Sequence, residues 1–252
     1  MQSSVTFTIS LAEVPVAVSV LYPSTKNFCR DYLTDKEPIC SVNISRQDVG
    51  SERQRAEAQR AREGASQRHV FSDAYLETLA LYRKLALPLL DCGAFIFHGS
   101  VLAVDGRAYL FTAPSGTGKT THTRLWMDQI PGAAVLNGDK PLLRVTEREI
   151  LACGTPWQGK ENYGCNMICP LEAVCILQRS GENHIEPVTM SEALAVLIQQ
   201  THRPEQPEAL CRTLDLVGRM GSRVKLYRLG CNMEPEAAWV SYEGMRSIFE
   251  AD

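Results

Sequence analysis

The sequence lacks an excess of charge of either sign: 26 Lys plus Arg stand against 29 Asp plus Glu, a formal net charge of −3. Neither a nucleic acid nor a membrane surface is therefore expected as a partner. It also lacks a long apolar run. Stretches such as residues 12–21 are interrupted or far shorter than the roughly 20 residues a bilayer requires. The opening Met1-Gln2-Ser3-Ser4-Val5-Thr6-Phe7 has no basic region and no small-residue cleavage site, so no secretory signal is expected, and the expected location is cytoplasmic. No CxxC pair occurs, and the nine cysteines are odd in number and scattered. That usage suits reduced, mostly buried thiols better than a disulfide framework. Cys165 and Cys169 could share a helix face, but no further ligands stand near them to complete a zinc site. No Asn-Lys-x-Asp string occurs, which removes the guanine-reading signal of a GTPase, and there is no internal repeat.

What is present is an ordinary globular composition, 252 residues with 44% hydrophobic side chains. A chain of that size buries about 70% or more of its unfolded surface and folds without staples. Residues 1–45 read as a strand-rich segment. Runs at 5–9, 14–21 and 39–44 alternate or are β-branched, and Pro15, Pro23 and Pro38 argue for hairpins or edge strands. Residues 46–70 read as a charged helix or linker, with almost no large apolar side chain. Residues 71–252 read as the core. Ser72-Asp73 can cap a helix to about Leu90, with Tyr75, Leu79, Tyr82, Ala86 and Leu89 on one face. Strands are expected at 94–104 and 108–112, joined by an Asp105-Gly106 hairpin turn. A helix is expected at 119–129, then strands at 133–136, 142–145 and 173–177. Helices at 191–200 and 205–220, a strand at 224–229 and a helix at 235–250 complete the pattern.

The sharpest signal is Ala113-Pro114-Ser115-Gly116-Thr117-Gly118-Lys119-Thr120-Thr121, a phosphate-loop pattern with Ala113 where a first glycine usually stands. Gly116 and Gly118 let the backbone curl so that N–H groups converge on one concavity. The positive end of the following helix adds to it. In such a loop Lys119 places a cation on the terminal phosphates and Thr120 offers a hydroxyl to Mg²⁺. The apolar strand Val135-Leu136-Asn137-Gly138-Asp139 ends in a carboxylate suited to completing a magnesium shell. His98, within Phe95-Ile96-Phe97-His98-Gly99-Ser100, lies on the strand expected to pair with the one feeding the loop.

At these residues the chain resembles the HPr kinase/phosphorylase family and its relative, ATP-dependent phosphoenolpyruvate carboxykinase. The Ser115-Gly116-Thr117-Gly118-Lys119-Thr120-Thr121 string is closer to the carboxykinase, and the Phe97-His98-Gly99-Ser100 string to HPr kinase. Gly154-Thr155-Pro156-Trp157-Gln158-Gly159-Lys160-Glu161 resembles a motif of small HPr-kinase-like proteins often labelled serine kinases. The resemblance implies an α/β fold, with a mixed-sheet P-loop core of that superfamily after a small strand-rich segment. It implies ATP and Mg²⁺ as donor and metal. Lys119 would lie on the β- and γ-phosphates, Thr120 on the metal and His98 beside the transferred phosphoryl group. Asp139 would serve as metal ligand, as base toward a hydroxyl, or both. The acceptor would be a serine of a protein or peptide, or a small molecule such as free serine. The family usually carries two adjacent acids where this chain reads Gly138-Asp139-Lys140. Either another residue takes the second task, or transfer is weakened and the chain is a non-catalytic nucleotide-binding regulator or biosynthetic accessory.

Three further residues are candidates for substrate contact. Trp157, between Pro and Gly, could stack on a substrate or plug a turn, and Lys160 could meet a phosphate or simply be solvated. Arg203, in Thr201-His202-Arg203-Pro204, is a candidate phosphate clamp. Self-association is left open.

Overall fold

The structure is a computed structural model that describes residues 4–63 and 71–246. The chain divides into two compact units, Met1–Cys92 and Gly93–Asp252.

In the first unit, β1 (Val5–Leu11) and β2 (Val14–Val20) form an antiparallel hairpin, and β3 (Cys40–Asn43) adds in parallel to β2. Alternation drives this sheet: Phe7, Ile9, Leu11, Val14, Val16, Val18 and Val20 are buried, while their neighbours along the strands are more open. Between the strands come a short helix, α1 (Pro23–Phe28), and a single 3-10 turn at Arg30–Tyr32. The charged stretch is a helix, α2 (Arg46–Glu63), and the remainder of that stretch lies outside the described residues.

The helix α3 (Asp73–Asp91) starts at the expected cap, with Ser72 accepting a bond from the Tyr75 N–H. Its buried face is rotated from the expected one. Leu76, Glu77, Ala80, Leu81 and Leu85 are inside together with the expected Ala86 and Leu89, and Tyr75 is exposed. The reason is Glu77. Its fully buried carboxylate accepts from the Leu21 N–H (2.6 Å), the Tyr22 N–H (3.2 Å) and the Thr25 hydroxyl at the start of α1. These bonds tie α3 to the residues before and within α1, and α3 lies within the first compact unit.

The second unit is a mixed α/β structure on a nine-stranded sheet. The expected strand 94–104 is two strands, β4 (Ala94–Ile96) and β5 (Ser100–Val104), that join different parts of the sheet. The hairpin from β5 to β6 (Arg107–Thr112) turns at Asp105-Gly106 as expected, both with positive φ (49° and 75°). α4 (Lys119–Gln129) follows, then β7 (Ala134–Asn137), β8 (Leu142–Val145) and β9 (Ile150–Cys153), the last not foreseen. β10 (Ile168–Arg179) is the longest strand. Its start pairs antiparallel with β9, and the rest runs parallel to β6 on one side and to a later strand on the other. That later strand is β12 (Lys225–Cys231), reached through β11 (His184–Pro187), α5 (Met190–Gln200) and α6 (Pro207–Gly221). α7 (Glu236–Arg246) is the last described helix, and residues 247–250 of the expected one lie outside the described residues.

The core of this unit fixes α4. Trp126 is fully buried among Tyr109, Phe111 and Tyr242, and its indole N–H donates to the Ser241 hydroxyl on α7 (2.7 Å). All nine cysteines are free. Cys169 lies in β10 and Cys165 in the segment before it, so the two do not share a helix face. Among the described residues no helix is long and apolar enough to cross a membrane.

Candidate functional site

β6 lies inside the sheet, between β5 and β10, so its C-terminal end is held on both sides. Loop 113–118 leaves that end and α4 begins at Lys119, as expected. Gly116 (φ 78°) and Gly118 (φ 125°) adopt backbone conformations that a side chain would strain. Ala113 is not among the residues with positive φ, so no glycine is needed there. No side chain caps α4, and no acidic residue stands in its first turn. The first bond of the helix runs from the His122 N–H to the Gly118 carbonyl, leaving the N–H groups at 119–121 without a protein acceptor among the described residues. Such a helix end favours an anion. The Lys119 ammonium folds back onto the Ala113 carbonyl (2.8 Å), and its pKa is lowered, chiefly by burial. Thr120 and Thr121 are exposed, as are Ser115 and Gly116, and Thr117 is half-buried. Arg179, at the end of β10, donates to the Gly116 carbonyl (2.6 Å) from the flank of the loop.

Asp139 stands in the turn after β7. The buried Asn137 side chain shapes that turn: its oxygen accepts from the Asp139 N–H (2.9 Å) and the Lys140 N–H (2.7 Å). Its nitrogen donates to the Thr155 carbonyl and hydroxyl. Segment 154–159 is thereby brought against the turn, and a Cβ at Gly159 would meet Asp139 Cβ at 2.9 Å.

His98 sits in the break between β4 and β5 rather than within a strand. Four backbone bonds make the break: Phe97 N–H to Pro141 O, His98 N–H to Gln200 O, Gly99 N–H to Asp139 O, and His202 N–H to Ile96 O. The His98 carbonyl accepts from Thr112, the last residue of β6 (3.0 Å), which sets His98 beside the strand end from which the loop departs. Its ring is held at both nitrogens, Nδ1 by Gln200 Oε1 (2.7 Å) and Nε2 facing Asp139 Oδ1 (3.3 Å). Gln200 arrives as the last residue of α5, a helix started by a Thr189–Glu192 capping box.

The other carboxylate oxygen of Asp139 takes the Lys140 ammonium at 2.6 Å. Burial works against ionisation of Asp139, but the bonds from His98 and Lys140 outweigh it and lower its pKa to about 2. The fields of Asp139 and Lys140 also reach Lys119, with opposite effects, so the two turns share one electrostatic neighbourhood.

The other candidates fall out differently. Trp157 is buried (8% exposed), so it plugs segment 154–164 and does not present a face for stacking. Lys160 is exposed on the same segment. Arg203 is exposed beyond the end of α5 and forms no ion pair among the described residues. Sequence reasoning missed Asn137, Lys140, Arg179 and Gln200. Turn chemistry around Asn137-Gly138 could have marked the first two; Arg179 and Gln200 reach the site only through the sheet and α5.

The donor set suits a phosphate at loop 113–118: backbone N–H groups, an ammonium and exposed hydroxyls. It does not suit magnesium at Asp139. Mg²⁺ takes oxygen ligands in octahedral order, and here one oxygen of the carboxylate is taken by the Lys140 ammonium while the other faces the His98 ring. Among the described residues no cluster of three metal-binding side chains occurs.

No protein-family model matches the sequence, and no curated protein matches it. Among solved structures, the HPr(Ser) kinase/phosphatase from Coxiella burnetii is similar at 8% identity and a TM-score of 0.37, over 62% of this chain and 97% of that one. Similarity of that order leaves the reading of the site to its own geometry.

Proposed function

We propose that the second unit is an ATP-dependent phosphotransferase of the HPr-kinase-like kind, with a phosphate loop at 113–118. It moves the γ-phosphoryl group to a hydroxyl on a serine-containing protein or peptide, or on free serine. The observation that carries this reading is the uncapped start of α4, with the Lys119 ammonium over the loop and the Asp139–His98 pair in the same electrostatic neighbourhood. The choice of ATP and of a serine hydroxyl comes from the motif resemblance. In this scheme the loop amides and Lys119 hold the terminal phosphates and offset charge as it builds on the leaving oxygen. Asp139 accepts the hydrogen bond of the attacking hydroxyl and aims it at the phosphorus. A group with a pKa near 2 is a poor proton sink, so positioning is its main contribution. His98, in contact with that carboxylate, is the neighbour suited to carry the proton away. Lys160, next to the glycine that packs on Asp139, is offered as a contact on the acceptor side.

A second reading, a non-catalytic nucleotide-binding regulator or biosynthetic accessory, is favoured by one observation: both oxygens of Asp139 already face cationic or cation-capable side chains. Incubation of the purified protein with γ-labelled ATP and free serine or serine peptides separates the two. Label on the acceptor supports transfer. Binding without transfer leaves the second reading, and absence of ATP binding sinks both.

A further inference from the structure

We propose that Lys140 supplies, at the mouth of loop 113–118, the positive charge that a divalent cation would bring, so that the site binds a nucleoside polyphosphate in its metal-free form. This rests on the phosphate-site reading above. Four observations support it. The Lys140 ammonium lies 2.6 Å from Asp139 Oδ2 and His98 Nε2 lies 3.3 Å from Oδ1, so a metal at this carboxylate would have to displace a cation already in contact. Lys140 is held in place from its backbone as well: its N–H donates to Asn137, and its carbonyl accepts from the buried Thr155 hydroxyl (2.7 Å). Lys140 is linked through Asp139 to His98, whose carbonyl accepts from Thr112 at the strand end from which the loop departs. Arg179 donates to the Gly116 carbonyl and Lys119 to the Ala113 carbonyl, so two cationic side chains already bind the loop itself, and Lys140 adds a third beside the one acid of the neighbouring turn.

A magnesium centre has the opposite balance, since it collects carboxylate and neutral oxygens and holds phosphates through the ion. Here the cations are built in, and a polyphosphate can meet them directly. Lysine serves well as such a point charge. When the polyphosphate enters, the Lys140 ammonium can bridge Asp139 and a phosphate oxygen, because an ammonium carries three donors.

The test is calorimetric titration of ATP into the whole protein, in EDTA and in excess Mg²⁺, for the wild type, Lys140→Met and Lys140→Arg. Thermal melting checks that each variant is folded. The expected result is wild-type affinity in EDTA within about threefold of that in Mg²⁺. Lys140→Met should lose roughly ten- to a hundredfold in EDTA and recover most of it with Mg²⁺, and Lys140→Arg should hold most of the wild-type affinity. Wild-type binding that is tenfold or more weaker in EDTA overturns the proposal and leaves the nucleotide reading standing, as does a folded Lys140→Met with unchanged affinity. No ATP binding under either condition overturns both. If Lys140→Met fails to fold, the wild-type comparison between EDTA and Mg²⁺ still decides.

Discussion

Two acids of this protein, Glu77 and Asp139, solve the same problem in opposite ways. Glu77 is fully buried, and its carboxylate accepts from two backbone N–H groups and one hydroxyl of residues 21–25. Asp139 is partly open, and its partners are two side chains, Lys140 and His98. An acid locked by backbone donors is a structural brace: nothing can leave without unfolding the segment. An acid held by side-chain donors can exchange them for a ligand at the cost of a rotamer. The contrast separates a stability element from a candidate site within one chain, without reference to any relative.

The largest expected effect lies with the brace. Glu77→Ala leaves three donors unmatched, at about 1–3 kcal/mol each, so urea unfolding should show a loss of roughly 3–9 kcal/mol. A loss under about 1 kcal/mol would erase the contrast. Next comes Lys119→Ala, which should weaken ATP binding by ~1.5–3 kcal/mol, roughly ten- to a hundredfold, with no loss in melting temperature, because the ammonium is poorly solvated without ligand. Unchanged ATP affinity in a folded variant would remove the phosphate site.

Asp139→Asn sharpens the comparison through pH. The folded pKa, about 2, lies below the unfolded value of 3.8. The stabilisation is therefore fully present above the unfolded value and is lost as pH falls through the folded one. The wild type should exceed the variant by about 2 kcal/mol at neutral pH, and acid titration should bring the two together near pH 2. A constant difference across that range would mean that the carboxylate is held by something other than its charge. The smallest effect belongs to Lys160→Ala. This exposed side chain should change stability by less than about 0.5 kcal/mol, while a rise in KM for the acceptor at unchanged ATP affinity would mark an acceptor contact. An unchanged KM would remove Lys160 from the site.

What the sequence made legible was local. Gly116-Thr117-Gly118-Lys119 marks a turn into a helix because glycine permits the backbone that the turn needs, and α4 starts where the pattern says. Asp105-Gly106 marks its hairpin for the same reason. His98 was placed wrongly within a strand because the break at 97–99 is enforced by carbonyls of Asp139, Pro141 and Gln200, all distant in sequence. The mostly apolar run from Ala94 to Val104 carries no trace of those partners. Trp157 was open to two readings because Pro and Gly around an indole mark a turn but not which way the ring faces. On α3 the apolar spacing finds Ala86 and Leu89 but not Glu77, because nothing local to the helix marks the partners of a buried acid, which lie at Leu21, Tyr22 and Thr25.

The strand β10 has a mechanical consequence. Residues 173–176 are bonded along both edges, to β6 on one side and β12 on the other, while the start of the same strand carries β9. The ladders to β6, β12 and β9 all run through this one strand, so none of the three can open without disturbing it. Native-state hydrogen exchange should therefore find the β10 amides among the slowest of the unit, released together in a single cooperative opening. The amides of loop 113–118 should exchange independently and fast. Loading the loop with a ligand would then stiffen a free end attached to a rigid beam, leaving the beam's own opening rate unchanged.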